Sequence, residues 1–363
     1  MSYDLSVKTV FVGLSGGVDS SVAALRLQKT GFNVVGVFIK VWHPDFLKCN
    51  WEEERLSAMR VAAHLRIPFL TCDAKEVYKK EVGEYFINEY KAGRTPNPDV
   101  LCNQHVKFGA FLDFAKNHGA DFIATGHYAR KSETRDKGRE ISGYSLLRGV
   151  DKGKDQSYFL WTLTQEQLKC ALFPIGDSHK NEVRTEASAA GLPTAAKKDS
   201  QGICFLGAVD IPEFMSHFVK LEPGDVLNPK GEKIGTHKGA LIYTLGQRHG
   251  FRVSVKGITE TPHYVAAKDL QKNTITVDDK PPVIKISEKI KMSSVNWIRK
   301  PEPNESLSAQ FRYRQKPFPA NVEELNDSEY AVVPLLDTDR PAAGQSCVIY
   351  SGEQCLGGGI ISE

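Results

Sequence analysis

The stretch that most restricts how this chain folds is Ser15-Gly16-Gly17-Val18-Asp19-Ser20. It lies between the β-branched and aromatic run Thr9-Val10-Phe11-Val12 and a helical pattern with Val18, Val22 and Leu25 on one face. A buried strand that turns through glycines straight into a helix opens a βαβ unit. Gly31 sits where a helix C-terminal glycine belongs, and the run from Val34 to Ile39 completes the unit. Gly16 and Gly17 permit positive φ and let backbone N–H groups approach an anion with no Cβ in the way. The helix N-terminus adds unpaired donors and a partial positive charge. Ser15, Ser20 and Ser21 offer hydroxyls, and Asp19 is placed to hold a Mg2+ that bridges phosphates. The lysine that G-x-x-x-x-G-K-S/T sets against the terminal phosphates is missing, which argues against γ-phosphoryl transfer.

Strand and helix continue to alternate. Leu56, Met59 and Ala63 fall on one helix face, Pro68-Phe69-Leu70-Thr71 reads as a strand, and Phe108, Phe111, Leu112 and Ala115 mark a further helix before the strand Phe122-Ile123-Ala124-Thr125. Such alternation predicts a mainly parallel sheet with helices on both faces and ligands at the strands' carboxyl ends, where Gly13 and Gly126 fall. After about residue 208 the pattern changes to turns and short strands such as His263-Tyr264-Val265-Ala266 and Thr274-Ile275-Thr276-Val277. From about 285 onward no amphipathic helix is visible, and Ser308 to Tyr313 and Ser346 to Tyr350 read as strands of a small barrel or sandwich. At 363 residues the chain is too long for one core. The expectation is an α/β catalytic domain at 1–208, a small central linking domain at 209–282 and a C-terminal all-β domain at 283–363.

Composition excludes more than it selects. A net charge of +3 does not by itself identify a nucleic-acid partner. No apolar run reaches the ~18–20 residues that cross a bilayer, so no membrane partner is expected. Met1-Ser2-Tyr3-Asp4-Leu5 matches neither a secretory signal nor a transit peptide, and a cytoplasmic location is the expectation. Seven scattered cysteines with no C-x-x-C pair argue against a disulfide framework and against the usual zinc or iron–sulfur ligand sets. A functional cysteine here is a nucleophile or a redox thiol.

Two cysteines have informative surroundings. In Arg94-Thr95-Pro96-Asn97-Pro98-Asp99-Val100-Leu101-Cys102-Asn103, the two prolines forbid regular helix, and a helix is expected to restart near Asn103. Cys102 then sits near a helix N-terminus, where the dipole favours thiolate, and Asp99 is a candidate general acid or base. In Lys197-Lys198-Asp199-Ser200-Gln201-Gly202-Ile203-Cys204-Phe205, two lysines and a glycine give Cys204 an electropositive, flexible setting suited to a persulfide or thiolate. On residue types alone, both cysteines read equally as buried core residues.

Ser15 to Ser20 resembles the PP-loop of the ATP pyrophosphatases, which adenylate a carbonyl oxygen and release pyrophosphate. Together with the two cysteine passages, the chain resembles the tRNA-specific 2-thiouridylase family, which makes 2-thiouridine at the tRNA wobble position. The resemblance runs from Gly13-Leu14-Ser15-Gly16-Gly17-Val18-Asp19-Ser20 through Ala92 to Asp99, Ala124 to Arg130, Lys154 to Leu160, Tyr243 to Arg248 and Arg312 to Gln315, and ends on Cys355 to Ile361. It implies an adenine nucleotide α-hydrolase-like first domain and a barrel-like last one. It also implies ATP, with Mg2+, at Gly13, Leu14, Ser15, Gly16, Gly17, Val18, Asp19, Ser20, Ile39 and Gly126. Cys204 carries sulfur as a persulfide in this scheme, Cys102 is the partner nucleophile and Asp99 the general acid/base beside the uracil. Implied tRNA contacts are Asn97, Pro98, Asp99, His127, Lys154, Asp155, Gln156, Arg312, Tyr313 and Gln345. A cysteine desulfurase or sulfur-relay protein is the implied persulfide donor.

The sequence departs from the family at Phe38-Ile39-Lys40, where Phe-Met-Lys is usual; isoleucine keeps the apolar packing. Residues 42–50 form a longer connection than the family's. Two other classes stay open on sequence: a PP-loop amidoligase similar to argininosuccinate or GMP synthetase, which needs no cysteine pair, and a redox or binding protein whose cysteines form a regulatory disulfide.

Overall fold

The computed structural model describes residues 7–47, 51–136, 140–199, 202, 204, 207, 210–254, 262–326 and 328–362. Strands β1 (Thr9–Gly13), β2 (Asn33–Lys40), β3 (Phe69–Asp73) and β4 (Phe122–Ala124) form a parallel sheet in the order β3-β2-β1-β4, and Ala171–Leu172 pairs beyond β4. Both faces of β1, β2 and β4 are covered, which is why their centres are apolar. Val10, Val12, Val34 and Phe38 pack with α1 (Val18–Lys29) and α2 (Trp51–Leu65), while Phe11, Val35, Val37 and Ile39 pack with Val106, Phe108 and Phe111. Strand order reverses at β1 and β4, and their carboxyl ends open the crevice that such sheets use for ligands.

Helix α2 turns a different face to the sheet from the one expected. Ala58, Val61, Ala62 and Leu65 are buried, whereas Leu56 and Met59 are 45% and 38% exposed. The alanines allow the closer approach to the sheet, so side-chain size rather than hydrophobicity sets the helix rotation.

The helix over 98–117 begins at Pro98, not near Asn103. Proline is tolerated there because the first-turn N–H groups have no intrahelical partner. After Pro98–Leu101 the backbone runs as a π-helix over Cys102–Ala110, then returns to α over Phe111–Asn117. Cys102 is therefore a full turn inside the helix.

A hairpin of β5 (Ala129–Asp136) and β6 (Glu140–Arg148) leaves the first domain and joins the last one, where Leu146 and Leu147 pair with Cys355 and Gln354. There, Ile290–Trp297, Glu329–Pro334, Phe318–Asn326, Ser308–Gln310, Ser346–Ser351 and Gln354–Ile361 form a sheet that closes on itself through Met292 and Ile361. The strand expected over Ser308 to Tyr313 stops at Gln310, because Arg314 takes a left-handed φ of 64° and puts Arg312 and Tyr313 on a turn. One core cluster runs unbroken from Phe11 through Tyr158 to Tyr350, so barrel and sheet domain share an interior.

The central domain is a five-stranded sheet (Arg252–Val253, Lys233–His237, Gly224–Leu227, Thr274–Asp278, Tyr264–Asp269) packed on helix Ile211–Ser216 and on Phe86, Ile87 and Tyr90. The long connection after β2 docks here. Phe46 stacks on His217 with centroids 3.7 Å apart and planes 9° from parallel, and lies edge-on to Phe214 and Phe218. Residues 48–50, with Cys49, lie outside the described residues. Among the described residues no helix is long and apolar enough to cross a membrane.

Candidate active site

The loop after β1 is held by its own hydroxyls and by two lysines from elsewhere. Gly16 has φ 69°, and a Cβ there would lie 2.8 Å from both Glu54 O and Ser57 Cβ, so only glycine fits. Gly17 uses no such freedom: it is the extended N-cap of α1, at φ −99°. Ser20 Oγ donates to Gly17 O at 3.2 Å and accepts from the Ser15 N–H at 3.3 Å. Ser21, expected to offer its hydroxyl to a ligand, is fully buried; its Oγ donates to Gly17 O at 2.7 Å and accepts from Thr194. Val18 points into the core, leaving only its backbone for a ligand.

Gly126 is glycine because of what packs against it. A Cβ there would lie 2.7 Å from Ser20 N and 2.8 Å from Asp19 C, so the space is taken by the first turn of α1. Asp19 accepts from Tyr128 Oη at 2.8 Å and from Lys180 Nζ at 2.7 and 2.8 Å. Lys180 also pairs with Asp199, which binds Lys154 at 2.7 Å and Arg184 at 2.6 Å. Burial opposes ionisation of Asp199, but hydrogen bonds from Lys154 and Lys180 hold its carboxyl well below the usual range. Lys197 Nζ donates to Gly16 O at 2.9 Å. The cations missing from the loop's own sequence are thus supplied by the fold. Lys180 carried one sequence signal: it opens helix Lys180–Ala189, where the helix dipole disfavours a cation that lacks a carboxylate partner.

A cavity of about 280 Å³ joins this loop to the cysteines. Gly13, Leu14, Ser15, Asp19, Ser20, Ile39 and Gly126 line one part of it, and Lys107, His127, Gln156 and Cys204 another. Cys204 Sγ lies 3.7 Å from Cys102 Sγ, with both thiols free. The Cys204 backbone is fixed at two points: its N–H donates to Asp99 Oδ1 at 2.8 Å, and its carbonyl accepts from Tyr78 Oη at 3.0 Å. Ser200, Gln201, Ile203 and Phe205 lie outside the described residues.

The two thiols differ in the opposite sense from the one the sequence suggested for Cys102. Burial pushes the Cys102 thiol well above its ordinary pKa, and it donates its proton to Cys204. Any dipole effect is lost because Cys102 is inside the helix and 0% exposed. The hydrogen bond from Cys102 and the charge of Lys107 instead hold Cys204 below the ordinary thiol range. Asp99 is raised by burial, although the Cys204 N–H and the Lys107 charge oppose the shift; it is suited to carry a proton.

Lys107 was not visible as a site residue in the sequence. In an α-helix, at ~100° per residue, positions five apart lie about 140° out of line. The π-helix closes hydrogen bonds five residues on and so brings Cys102 and Lys107 toward one side. Nothing in the composition of 102–110 announces that geometry.

The remaining expected positions divide into two groups. His127 and Gln156 line the cavity, and Lys154 reaches it indirectly through Asp199 and Lys180. Asp155 faces inward instead: it is buried and accepts from Arg148, the Gly149 N–H and Ser157, so it orders the loop that carries its neighbours. Arg312, Tyr313 and Gln345 do not line the cavity. Arg312 Nη2 donates to Leu245 O and Arg340 O, and the Tyr313 ring lies 4.5 Å from that of Phe159. Gln345 Nε2 donates to Thr95 O at 2.9 Å and steadies the loop that leads to Asn97, Pro98 and Asp99.

Family models match nearly the whole chain: one described as a tRNA methyl transferase HUP domain over 8–208, a tRNA methyl transferase PRC-barrel domain over 212–279 and an aminomethyltransferase beta-barrel domain over 287–361. The chain is 43% identical over 361 residues to the tRNA-specific 2-thiouridylase MnmA of Bacillus velezensis, covering 98% of this chain and 95% of that one. It is 45% identical over 359 residues to tRNA-specific 2-thiouridylase MnmA 2 of Geobacillus kaustophilus, covering 98% and 94%. It is 44% identical over 364 residues to tRNA-specific 2-thiouridylase MnmA of Stenotrophomonas maltophilia, covering 99% and 94%. This chain belongs to the tRNA-specific 2-thiouridylase family.

Proposed function

We propose that this protein is a tRNA-uridine 2-sulfurtransferase that replaces O2 of the wobble uridine by sulfur taken from a persulfide on Cys204. The observation that carries this reading is the cavity shared by Cys204 and the glycine loop, with Cys102 at 3.7 Å. Uracil O2 is a poor leaving group; ATP held at Gly13 to Ser20, Ile39 and Gly126 supplies the adenylyl group that makes it a good one.

The persulfide sulfur of Cys204 attacks C2, the C2–O bond breaks and AMP leaves. Cys102 gives up its proton and attacks Cys204 Sγ. The bond from Sγ to the transferred sulfur breaks, which frees 2-thiouridine and leaves a Cys102–Cys204 disulfide for a reductant. Asp99, raised by burial and fixed on the Cys204 N–H, is the acid/base for the proton transfers. Asp19 is engaged by Lys180 and Tyr128, so Mg2+ enters with the phosphates of ATP rather than on a protein cage.

We assign 1–208 to nucleotide binding and catalysis, 209–282 to linking and 283–363 to tRNA contact, with a cysteine desulfurase or sulfur-relay protein as donor and the cytoplasm as location. Residues Asn97, Pro98, His127, Lys154, Gln156, Arg312, Tyr313 and Gln345 are the tRNA side of this proposal.

The test follows AMP and pyrophosphate release with and without tRNA and analyses the digested tRNA by mass. Sulfur in place of oxygen, with release dependent on tRNA, is expected. An added methyl group would support the activity in the family models' descriptions instead, and turnover of a small amide without RNA would support an amidoligase.

A further inference from the structure

We propose that Lys107 is a catalytic residue of the sulfur transfer, its ammonium group holding the Cys204 sulfur as an anion and kept in place by a hydrogen-bonded chain from Thr125 through His127. The proposal rests on the reading of Cys204 as the sulfur carrier.

Lys107 projects from the π-helical segment that also carries Cys102 and lines the cavity together with Cys204, where its charge acts on the Cys204 sulfur. Its Nζ lies 3.5 Å from His127 Nε2, and His127 Nδ1 lies 2.7 Å from Thr125 Oγ1. An ammonium group only donates, so Nε2 is the acceptor, Nδ1 carries the ring proton, and that proton goes to Thr125 Oγ1. This tautomer requires a neutral ring. Burial and the Lys107 charge hold the pKa of His127 well below its ordinary value. His127 and Thr125 are both 5% exposed, and the imidazole packs against the rings of Phe108 and Phe173, at centroid distances of 6.0 and 6.4 Å. The pair is therefore rigid, and it aims Lys107 rather than titrating itself.

A cation in such a wall is costly unless negative charge faces it. The titratable groups here are Asp99 and Cys102 from the same helix, Cys204, His127 beyond β4, and Tyr78. Burial alone would lower the pKa of Lys107, yet the surrounding acidic groups, Cys204 foremost, outweigh it and keep the ammonium protonated. Of the two sulfurs, Cys204 accepts the hydrogen bond from Cys102 and is the one whose pKa is drawn down. The same cation then serves each step at Cys204. It stabilises the thiolate that takes the terminal sulfur from a donor persulfide and the persulfide anion that attacks C2, and it remains inside the cavity as negative charge passes to the departing AMP. Sequence reading placed Cys204 in the field of Lys197 and Lys198; Lys197 is instead bonded to the loop at Gly16.

The experiment measures the pH profile of Cys204 alkylation by iodoacetamide in the full chain, reduced and without ATP or tRNA, by peptide mass spectrometry. In the wild type the midpoint lies below that of an ordinary thiol. Lys107→Met is expected to raise the midpoint by at least about one pH unit, a roughly tenfold loss of thiolate at neutral pH. Lys107→Arg should restore most of it, and His127→Leu should give a smaller rise in the same direction. In single-turnover thiolation, Lys107→Met should lower the rate without weakening ATP or tRNA binding. A Cys204 profile unchanged in Lys107→Met overturns the proposal. If that variant unfolds, Lys107→Gln, which keeps a hydrogen-bonding group without the charge, is read by the same criterion. Because the alkylation needs neither substrate, a wild-type protein that fails to thiolate tRNA would sink the function and leave this result standing.

Discussion

Cys102 Sγ and Cys204 Sγ stand 3.7 Å apart, although 102 residues separate them in the chain. They are inequivalent: the first is sealed in the core with its proton, and the second lines the cavity as the acceptor of that proton. The order of events in the proposed transfer follows from that inequality, since the accessible, more acidic sulfur takes and delivers sulfur and the buried thiol acts afterwards.

Removing either sulfur should therefore fail differently. Cys204→Ala is expected to abolish thiolation with ATP affinity unchanged. Cys102→Ala should stall after sulfur has reached C2, leaving tRNA joined to Cys204 through a sulfur–sulfur bond. A non-reducing denaturing gel would show that adduct, and dithiothreitol would release it. Free thiolated tRNA from Cys102→Ala at the wild-type rate would reject the resolving role.

Gly126→Ala tests the packing of β4 against α1. The added methyl group meets Ser20 N and Asp19 C at 2.7 and 2.8 Å, both backbone, so the first turn of α1 must shift. Overpacking of this kind costs about 1–3 kcal/mol. Because the displaced segment is the nucleotide loop, ATP affinity should fall roughly tenfold by calorimetric titration. Unchanged affinity would show that the loop's position does not matter to the nucleotide.

Arg312 joins the central domain to the barrel through Leu245 O and Arg340 O, and is also a proposed phosphate contact. Arg312→Ala should weaken tRNA binding and reduce the slope of log K against log salt by about 0.7–0.9, the signature of one lost phosphate contact. Weaker binding at an unchanged slope would assign Arg312 to domain packing alone.

Barrel stability should depend on pH through Glu305. Its carboxylate takes Arg299 Nη2 at 2.5 Å, Arg299 Nη1 at 3.2 Å and the Glu302 N–H at 2.9 Å. The Arg299 hydrogen bonds bring its pKa from 4.5 to about 2, against a smaller opposing effect of burial. A carboxyl depressed on folding stabilises the protein fully above its unfolded pKa and loses that contribution as pH falls through the folded one. Glu305→Gln should thus cost about 1–2 kcal/mol at neutral pH in urea unfolding. The difference should shrink below pH 4.5 and be lost as pH falls through about 2.

The parallel sheet was legible because it is buried on both faces, so β1, β2 and β4 announce themselves as apolar runs. Less legible were features that depend on what lies opposite. Leu56 and Met59 looked like the inner face of α2, but the alanines pack closest. Ser21 resembled a ligand hydroxyl until Gly17 and Thr194 claimed it, and Asp155 resembled an RNA contact until Arg148 and Ser157 did. Local sequence shows which groups are polar; it does not show which are already paired.

The sequence by itself determined the strand–loop–helix unit around Ser15 to Ser20, the change from α/β to all-β organisation after about residue 208, and the family. These are local properties, carried by period, glycine placement and contiguous motifs. Only the tertiary structure decided that Cys204 is the more acidic thiol and Cys102 its hydrogen-bond donor, that Lys107 is the cation beside them, and that Lys180 and Lys197 serve the loop. Protonation depends on burial and on charges a few ångströms away, and those neighbours come from distant segments brought together by a π-helical turn and a sheet crossover.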